Sequence, residues 1–223
     1  MSTDNPKRDV LVQIAGVAKA LGHAHRLEIL EILGQGERSV DGLAEVCGLS
    51  VANASQHLGH LRKAGLVAST RHGQRILYRL RDESVIGLLM SLRRIAETNV
   101  AEMRLLLNGY FRERDALEPT SRDELLDQLR HGQVTLLDVR PEEEFDGGHI
   151  PGALNIPLGE LTQRMARLPK GTEIVAYCRG PYCVFSFEAV AALREYGFQA
   201  RRLEDGYPEW KAAGLPTDVT ALV

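Results

Sequence analysis

The chain of 223 residues carries a formal net charge of −3, is 44% hydrophobic and 26% charged, and contains three cysteines. This length favours two compact domains over one. The chain has no apolar run as long as a membrane span, no signal-like N-terminus and too few cysteines for a disulfide scaffold, so we expect a cytoplasmic protein without membrane attachment.

Three helices are predicted in the first part of the chain. An apolar stripe over residues 26–33 predicts a helix. A second, short helix capped by Ser39 or Asp41 follows, and Ser50 caps a third helix that ends at Gly65. Two helices joined by a tight turn are typical of a helix-turn-helix, whose second helix enters the major groove of DNA.

Two strand-like runs follow the third helix. Residues 66–70 and 76–80 flank a polar tip that contains Gly73, which predicts a β-hairpin wing. The stretch between Glu45 and Asp82 has no carboxylate, and its Lys and Arg residues are Arg62, Lys63, Arg71, Arg75, Arg79 and Arg81. Such a basic strip favours contact with a phosphate backbone.

Residues 10–96 resemble the ArsR family of small winged-helix repressors. The resemblance is carried by ALGHAHRLEILEIL, LSVANASQHLGHLRKAGLV and a wing that ends in YRL. It implies a homodimer on a two-fold symmetric, double-stranded DNA operator. The implied dimer contacts are Val10, Leu11, Ile14, Val17, Ala18 and Leu21, with Ile86, Leu89, Leu92, Ile95 and Val100 on an apolar helix over residues 84–107. An alternative is that both stripes belong to the core of a single chain.

Eight side chains of the helix-turn-helix and wing are predicted to contact DNA. They are Asn53, Ser55, Gln56, His57, Arg62, Lys63, Arg71 and Arg75. The first four lie on the polar side of the third helix and can donate to base edges or phosphates. The next two suit backbone phosphates, and the wing-tip pair suits the minor groove.

The metal sites of the ArsR family are not matched by this sequence. The positions of the family's Cys-x-Cys pair hold Ser39 and Asp41, and residues 82–107 contain no histidine. His23 and His25 are predicted to face different sides of a helix. We therefore expect no metal site and no cofactor.

A charged stretch over residues 112–119 predicts a linker between a domain of residues 1–111 and a second domain of residues 120–223. In the second domain the apolar run 134–139 predicts a central parallel strand. Asp138 and Arg140 are then predicted to form a buried ion pair, whereas Glu142, Glu143 and Glu144 are predicted to be a solvated helix start.

Cys178 lies where the apolar run 174–177 ends and a Gly-Pro turn begins. An amphipathic helix is predicted to begin near Cys183 or Val184. The free N–H groups of the turn and the helix dipole favour a thiolate at this corner, and Arg179 adds positive charge. The sequence therefore predicts a site that holds negatively charged sulfur.

Residues 120–217 resemble the rhodanese domain through LLDVRPEEEFDGGHIPGALNIPL, the Cys178 loop and AALREYGFQARRLEDGYPEWKAAGLP. The resemblance implies that Cys178 accepts sulfane sulfur as a persulfide. Supporting roles for the loop are then expected from Asp138, Arg140, Gly180 and Tyr182.

Cys183 stands where many single-domain rhodaneses have the last arginine of the loop. Loss of that cation disfavours efficient thiosulfate turnover. The thiol that replaces it can attack a persulfide or sulfenate on Cys178 and close a bridge, if the Cα atoms lie within about 7 Å. Alternatively, Cys183 is only a buried residue at the helix start.

These patterns together predict a multi-domain protein. An N-terminal α+β winged helix-turn-helix, mainly helical, precedes an α/β rhodanese-like domain with a central parallel sheet. We hypothesise a DNA-binding transcriptional repressor whose operator affinity changes when a small sulfur donor or an oxidant modifies Cys178. The alternatives are an active sulfurtransferase tethered to a DNA-binding module and a metal-sensing repressor.

Overall fold

A computed structural model describes residues 5–112 and 119–220, apart from the side chains of residues 110–112. The chain folds as two units, Met1–Ile86 and Gly87–Val223. Most of the predicted linker, residues 113–118, lies outside the described part of the chain. The domain boundaries drawn from the sequence therefore stay a prediction.

The first unit contains four helices and a small sheet. The helices are α1 (Pro6–Leu21), α2 (Ala24–Gln35), α3 (Val40–Val46) and α4 (Val51–Lys63). The strands are β1 (Arg38–Ser39), β2 (Val67–His72) and β3 (Arg75–Leu80), in the antiparallel order β1-β3-β2. The predicted helix-turn-helix and wing are confirmed, whereas β1 was missed because two residues are too few to show an alternating pattern.

Side-chain caps begin both helices of the helix-turn-helix. Ser39 Oγ accepts a hydrogen bond from the backbone N–H of Gly42 at 3.2 Å, and Ser50 Oγ accepts one from Asn53 at 3.3 Å. Caps of this kind contribute about 1 kcal/mol each. The turn between the helices contains Gly48 at a φ of +61°, a left-handed conformation that favours glycine. These local interactions fix where α4 starts.

Below the helix-turn-helix lies a core of aliphatic side chains. Its fully buried members are Ile29, Leu30, Leu43, Ala54, Leu58 and Leu61. Burial of each large side chain contributes about 1.5–3 kcal/mol. Since the apolar face of α4 packs on this core, its opposite, polar face stays exposed.

Helix α5 (Ser84–Asn99) begins in the first unit and continues in the second. It is followed by α6 (Ala101–Leu106) and a π-helical segment, Leu107–Arg112. The sequence predicted one helix over residues 84–107. The structure breaks it at Val100, whose φ of −103° and ψ of 112° are extended rather than helical.

The rest of the second unit is a parallel sheet flanked by helices. The helices are α7 (Arg122–Arg130), α8 (Glu142–Asp146), α9 (Leu161–Arg164), α10 (Val184–Glu195) and α11 (Tyr207–Ala212). The strands are β4 (Val134–Asp138), β5 (Leu154–Asn155), β6 (Glu173–Tyr177) and β7 (Ala200–Arg202). Their order is β5-β4-β6-β7, so the predicted central position of β4 is confirmed.

Side chains of β6 alternate between two cores on opposite faces of the sheet. Ile174, Ala176 and Cys178 belong to one core, whereas Val175 and Tyr177 belong to the other. Burial on both faces is typical of parallel sheets. Cys178 follows the last strand residue and extends this alternation, so it lies on the same side as α10.

Candidate functional site

Cys178 and Cys183 are joined by a disulfide across the loop between β6 and α10, with their Cα atoms 6.2 Å apart. This separation is below the limit of about 7 Å within which two cysteines can form a disulfide. Cys178 is 1% exposed, whereas Cys183 is half-buried and is the N-cap residue of α10. The predicted helix start at Cys183 or Val184 is confirmed.

Backbone contacts fix the loop that the disulfide closes. The Cys178 carbonyl accepts a hydrogen bond from the backbone N–H of Tyr207 at 3.1 Å, and the Gly180 carbonyl accepts one from Cys183 at 3.1 Å. Gly206, just before α11, passes so close that a Cβ there would lie 2.5 Å from the carbonyl carbon of Arg179. The loop therefore rests on the start of α11 with no room for an added carbon.

The guanidinium of Arg179 binds Glu144 through two hydrogen bonds, of 3.0 and 2.8 Å. It also lies over the ring of Phe185, 5.3 Å from the centroid. The prediction that Glu144 belongs to a solvated run is wrong, because its side chain is 3% exposed. Helical rotation turns this third glutamate of the run inward, where Arg179 neutralises it.

Asp138 and Arg140 form the predicted buried ion pair, with both side chains 0% exposed and Nη2 of Arg140 2.7 Å from Oδ2 of Asp138. Nη2 also donates to the Gly148 carbonyl at 2.7 Å. Burial disfavours the charged guanidinium, but Asp138 outweighs burial and the pKa of Arg140 is raised. The pair lies at the carboxyl end of β4, beside the strand that leads to Cys178.

Two side chains of α5 contact this region, which the sequence did not predict. Arg93 Nη1 lies 2.6 Å from Oε1 of Glu209 in α11, and the hydroxyl of Tyr182 donates to Glu97. Arg93 also lies over the ring of Tyr182, 5.7 Å from its centroid. Burial raises the pKa of Glu209, and Arg93 opposes that rise. The residues are more than 80 apart in sequence, so no local pattern connects them.

The predicted DNA contacts of the first unit lie mostly at its surface. Exposed residues among them are Asn53, Ser55, Gln56, Arg62, Lys63, Arg71 and Arg75. The wing tip turns at Gly73, whose φ is +60°, and its carbonyl accepts a hydrogen bond from Nε of Arg71 at 3.1 Å. The polar face of α4 and the wing tip are thus both open to a ligand.

His57 is placed differently from the other predicted DNA contacts. It is half-buried, and its ring centroid lies 4.5 Å from that of His23 and 5.8 Å from that of His25. The sequence placed His23 and His25 on different sides of a helix. Their rings lie 5.5 Å apart because His23 is the extended N-cap residue of α2, to which helical spacing does not apply. No group of three or more His, Cys, Asp or Glu among the described residues is arranged to hold a metal ion.

The pKa of His57 makes the stability of the first unit depend on pH. Burial, together with the charges of His23 and Arg26, lowers this pKa from its ordinary 6.5. As the pH falls through 6.5, the ordinary pKa that His57 has in the unfolded chain, the unfolded chain binds more protons than the folded one. The free energy of unfolding therefore decreases. We expect His57→Gln to flatten this decrease in urea titrations between about pH 7.5 and pH 5.

The exposed wing residue His72 provides the matched control for that measurement. His72→Gln is expected to keep the pH dependence of the wild type. An unchanged slope in His57→Gln would contradict the assignment.

Apolar side chains remain exposed on α1 and α5. On α1 they include Val10, Leu11 and Ile14, which are 53–59% exposed. On α5 and at its end they include Leu92, Ile95 and Val100. The expectation that Leu21, Ile86 and Leu89 form dimer contacts is wrong, because these three are at most 8% exposed and belong to the monomer core.

Cys47 is buried and forms no disulfide. Burial, with a smaller effect of Glu28, raises its pKa to about 11. The thiol is therefore protonated at neutral pH and unreactive. Cys47 is therefore a small side chain of the core of the first unit.

Two protein families match the chain. The family described as a helix-turn-helix domain matches residues 21–70, and the rhodanese-like domain family matches residues 121–213. No helix in the described part of the chain is both long and apolar enough to cross a membrane.

Relatives match the whole chain or one of its halves. The HTH-type transcriptional regulator Rv0324 of Mycobacterium tuberculosis is 42% identical over 217 residues, which cover 97% of this chain and 95% of the relative. A sulfurtransferase of Allochromatium vinosum is 36% identical over 84 residues, 37% of this chain and 77% of that protein. Among solved structures, the homodimeric winged helix-turn-helix domain of a possible ArsR-family regulator from Mycobacterium bovis is 35% identical, with a TM-score of 0.42, and covers 46% of this chain and 94% of its own.

Proposed function

The chain belongs to the family of HTH-type transcriptional regulators that join a helix-turn-helix domain to a rhodanese-like domain, and from that premise we propose that sulfur chemistry at Cys178 and Cys183 controls its affinity for DNA. The observation that carries this proposal is the disulfide across the β6–α10 loop. A bridge between residues this close in sequence gives the loop two covalent states.

An inorganic polysulfide can serve as the oxidant that forms the disulfide between Cys178 and Cys183. The Cys178 thiolate attacks a sulfane sulfur, and the polysulfide leaves one sulfur atom shorter with the electron pair of the broken bond. The Cys183 thiol then attacks the inner sulfur of the Cys178 persulfide. The disulfide forms, and H₂S leaves with the thiol proton. Peroxide leads to the same bridge through a sulfenic acid, with water as the leaving molecule.

Reduction of the bridge is expected to begin at Cys183. Cys178 is 1% exposed in the disulfide form, whereas Cys183 is half-buried. A small thiol therefore attacks the sulfur of Cys183, and the electron pair of the broken bond passes to Cys178. This returns the thiolate to the corner that favours it, between the end of β6 and the start of α10.

We assign DNA binding to the exposed residues of α4 and the wing tip. We propose that Asn53, Ser55 and Gln56 contact base edges or phosphates, that Arg62 and Lys63 neutralise backbone phosphates, and that Arg71 and Arg75 enter the adjacent minor groove. The stretch between Glu45 and Asp82 contains no carboxylate that would repel the DNA backbone. His57 is assigned to a packing role instead, since its ring faces His23 and His25.

A homodimer is the proposed assembly. Val10, Leu11 and Ile14 expose a row of large apolar side chains on α1, and a second copy of the chain is the occupant that covers it. Packing of this row against the same row of a second copy is favourable, because it removes apolar side chains from water. Exposed apolar patches of this kind are also uncommon on monomers. A dimer presents two copies of α4 to the two half-sites of a symmetric operator.

The test is a gel shift on operator DNA at fixed salt concentration, with reduced and polysulfide-treated protein. We expect the dissociation constants of the two wild-type states to differ by about 5- to 150-fold, the range of typical allosteric couplings. Cys178→Ser is expected to abolish the difference. Cys47→Ser is the matched control and is expected to keep it, because the Cys47 thiol is buried and protonated. Equal affinity of the two wild-type states would refute the proposal.

A second candidate function is sulfurtransferase activity. It is favoured by the partial match to a sulfurtransferase and by the match of residues 121–213 to the rhodanese-like domain family. Thiocyanate production by the wild type, lost in Cys178→Ser, would support it if the gel shift shows no dependence on sulfur state. Rapid closure of the disulfide competes with this activity, since Cys183 consumes the persulfide before an external acceptor arrives.

A further inference from the structure

Tyr182 lies inside the six-residue loop that the disulfide closes and is the direct neighbour of Cys183. Its hydroxyl leaves the loop and donates to Glu97 of α5. In the bridged state the Cα atoms of Cys178 and Cys183 are held 6.2 Å apart. Opening of the bridge removes that constraint from Cys183, and the adjacent Tyr182 is a loop residue whose side chain contacts α5.

A second contact joins α5 to α11, beside the cysteine loop. Arg93 binds Glu209, whose other oxygen accepts a hydrogen bond from the Gly206 backbone N–H at 3.1 Å. Glu209 is 3% exposed and Arg93 16%, so this ion pair is shielded from water. Neither residue belongs to the loop. The Arg93–Glu209 pair therefore holds one turn of α5, and the next turn carries the contact between Glu97 and Tyr182.

Helix α5 follows the wing of the DNA-binding unit in the chain. Three residues separate the start of the helix, Ser84, from the end of the wing strand β3 at Leu80. On the turns that carry Arg93 and Glu97 it also exposes Leu92 and Ile95. A displacement of α5 at Glu97 therefore occurs on a helix that begins within the DNA-binding unit.

We propose that Glu97 of α5 responds to the covalent state of the cysteine loop through its hydrogen bond with Tyr182, while the Arg93–Glu209 ion pair anchors the preceding turn of the helix. This inference rests on the proposed function, since it names the route by which the loop changes DNA affinity. Glu97 and Tyr182 are positioning residues in this scheme. Neither takes part in the sulfur chemistry itself.

The first test compares full-length Tyr182→Phe with the wild type. The variant keeps the ring and loses only the hydroxyl donor. We expect unchanged disulfide formation by mass spectrometry and unchanged DNA affinity of the reduced protein. The difference in affinity between reduced and bridged protein is expected to fall from about 5- to 150-fold to less than about twofold. Tyr196→Phe, at a tyrosine that is 60% exposed, is the matched control and keeps the full response.

Two substitutions at Glu97 separate the hydrogen bond from a general effect on the helix. Glu97→Gln keeps an oxygen that accepts from the Tyr182 hydroxyl and is expected to retain the response. Glu97→Ala lacks an acceptor and is expected to lose it. A response retained in Glu97→Ala overturns the inference.

Hydrogen exchange of the α5 backbone amides provides a readout that does not involve DNA. We expect exchange near Glu97 to differ between the reduced and bridged wild type and to be the same in both states of Tyr182→Phe. Identical exchange in the two wild-type states overturns the inference even if DNA affinity changes. Altered exchange without any change in DNA affinity supports the contact route and refutes the proposed function, so the two failures are distinguishable.

Discussion

Replacing Asp138 with alanine is expected to lower the free energy of unfolding of the second unit by about 3–5 kcal/mol. Asp138 accepts hydrogen bonds from the backbone N–H and the guanidinium of Arg140, and both side chains are 0% exposed. The substitution leaves a buried cation with no carboxylate opposite it. Chemical denaturation followed through the single tryptophan, Trp210, measures the loss, because Trp210 lies in the core of this unit.

An exposed ion pair of the same unit provides the control. Arg164 and Glu160 pair at 2.7 Å with side chains 40% and 53% exposed. Glu160→Gln is expected to cost no more than about 1 kcal/mol, because water screens the charges. If Asp138→Ala cost as little as Glu160→Gln, the buried pair would not support the fold in the way we describe.

Gly206→Ala is expected to destabilise the second unit by about 1–3 kcal/mol and to disturb the cysteine loop. The φ of Gly206 is −108°, so alanine is not strained at the backbone itself. Its Cβ, however, would lie 2.5 Å from backbone atoms of Arg179 and Gly180. The loop must shift to admit it, and the distance between Cys178 and Cys183 shifts with the loop.

Redox titration of the disulfide measures that disturbance. We expect the midpoint potential of Gly206→Ala to differ from that of the wild type, with about 30 mV for each tenfold change in the equilibrium constant. Gly159→Ala is the matched control, because the space around that glycine is open. Equal potentials for Gly206→Ala and the wild type would show that the loop does not rest on Gly206.

Local sequence patterns were sufficient to predict most of the fold. The elements of the first unit were predicted from serines that cap helix starts, glycines that end helices and two strand-like runs around a glycine turn. Each of these signals acts within a few residues. The central strand was predicted because residues 134–139 are mostly apolar, as expected of a strand buried on both faces of a parallel sheet. The break at Val100 was not predicted, as nothing in the local apolar spacing interrupts the helix there.

The candidate site was predicted only where it is local. One loop contains Cys178, Arg179 and Cys183, so the sequence was sufficient to predict that a disulfide between the two cysteines is possible. The partners that come from other elements could not be. Glu144 was predicted to be solvated like its neighbours Glu142 and Glu143, and the sequence predicted no role for Glu97. Their roles depend on packing between residues 35 and 85 positions apart.

The location of Cys178 within a hydrophobic core restricts which molecules can modify it. Its side chain packs in the same cluster as Ala176, Ala189 and Val190. We expect one additional sulfur atom to require small adjustments of this close-packed core, whereas a tripeptide thiol such as glutathione would displace the surrounding side chains. Under the proposed function we therefore expect core packing to select modifying molecules by size, with bulky disulfides reacting at the half-buried Cys183 instead.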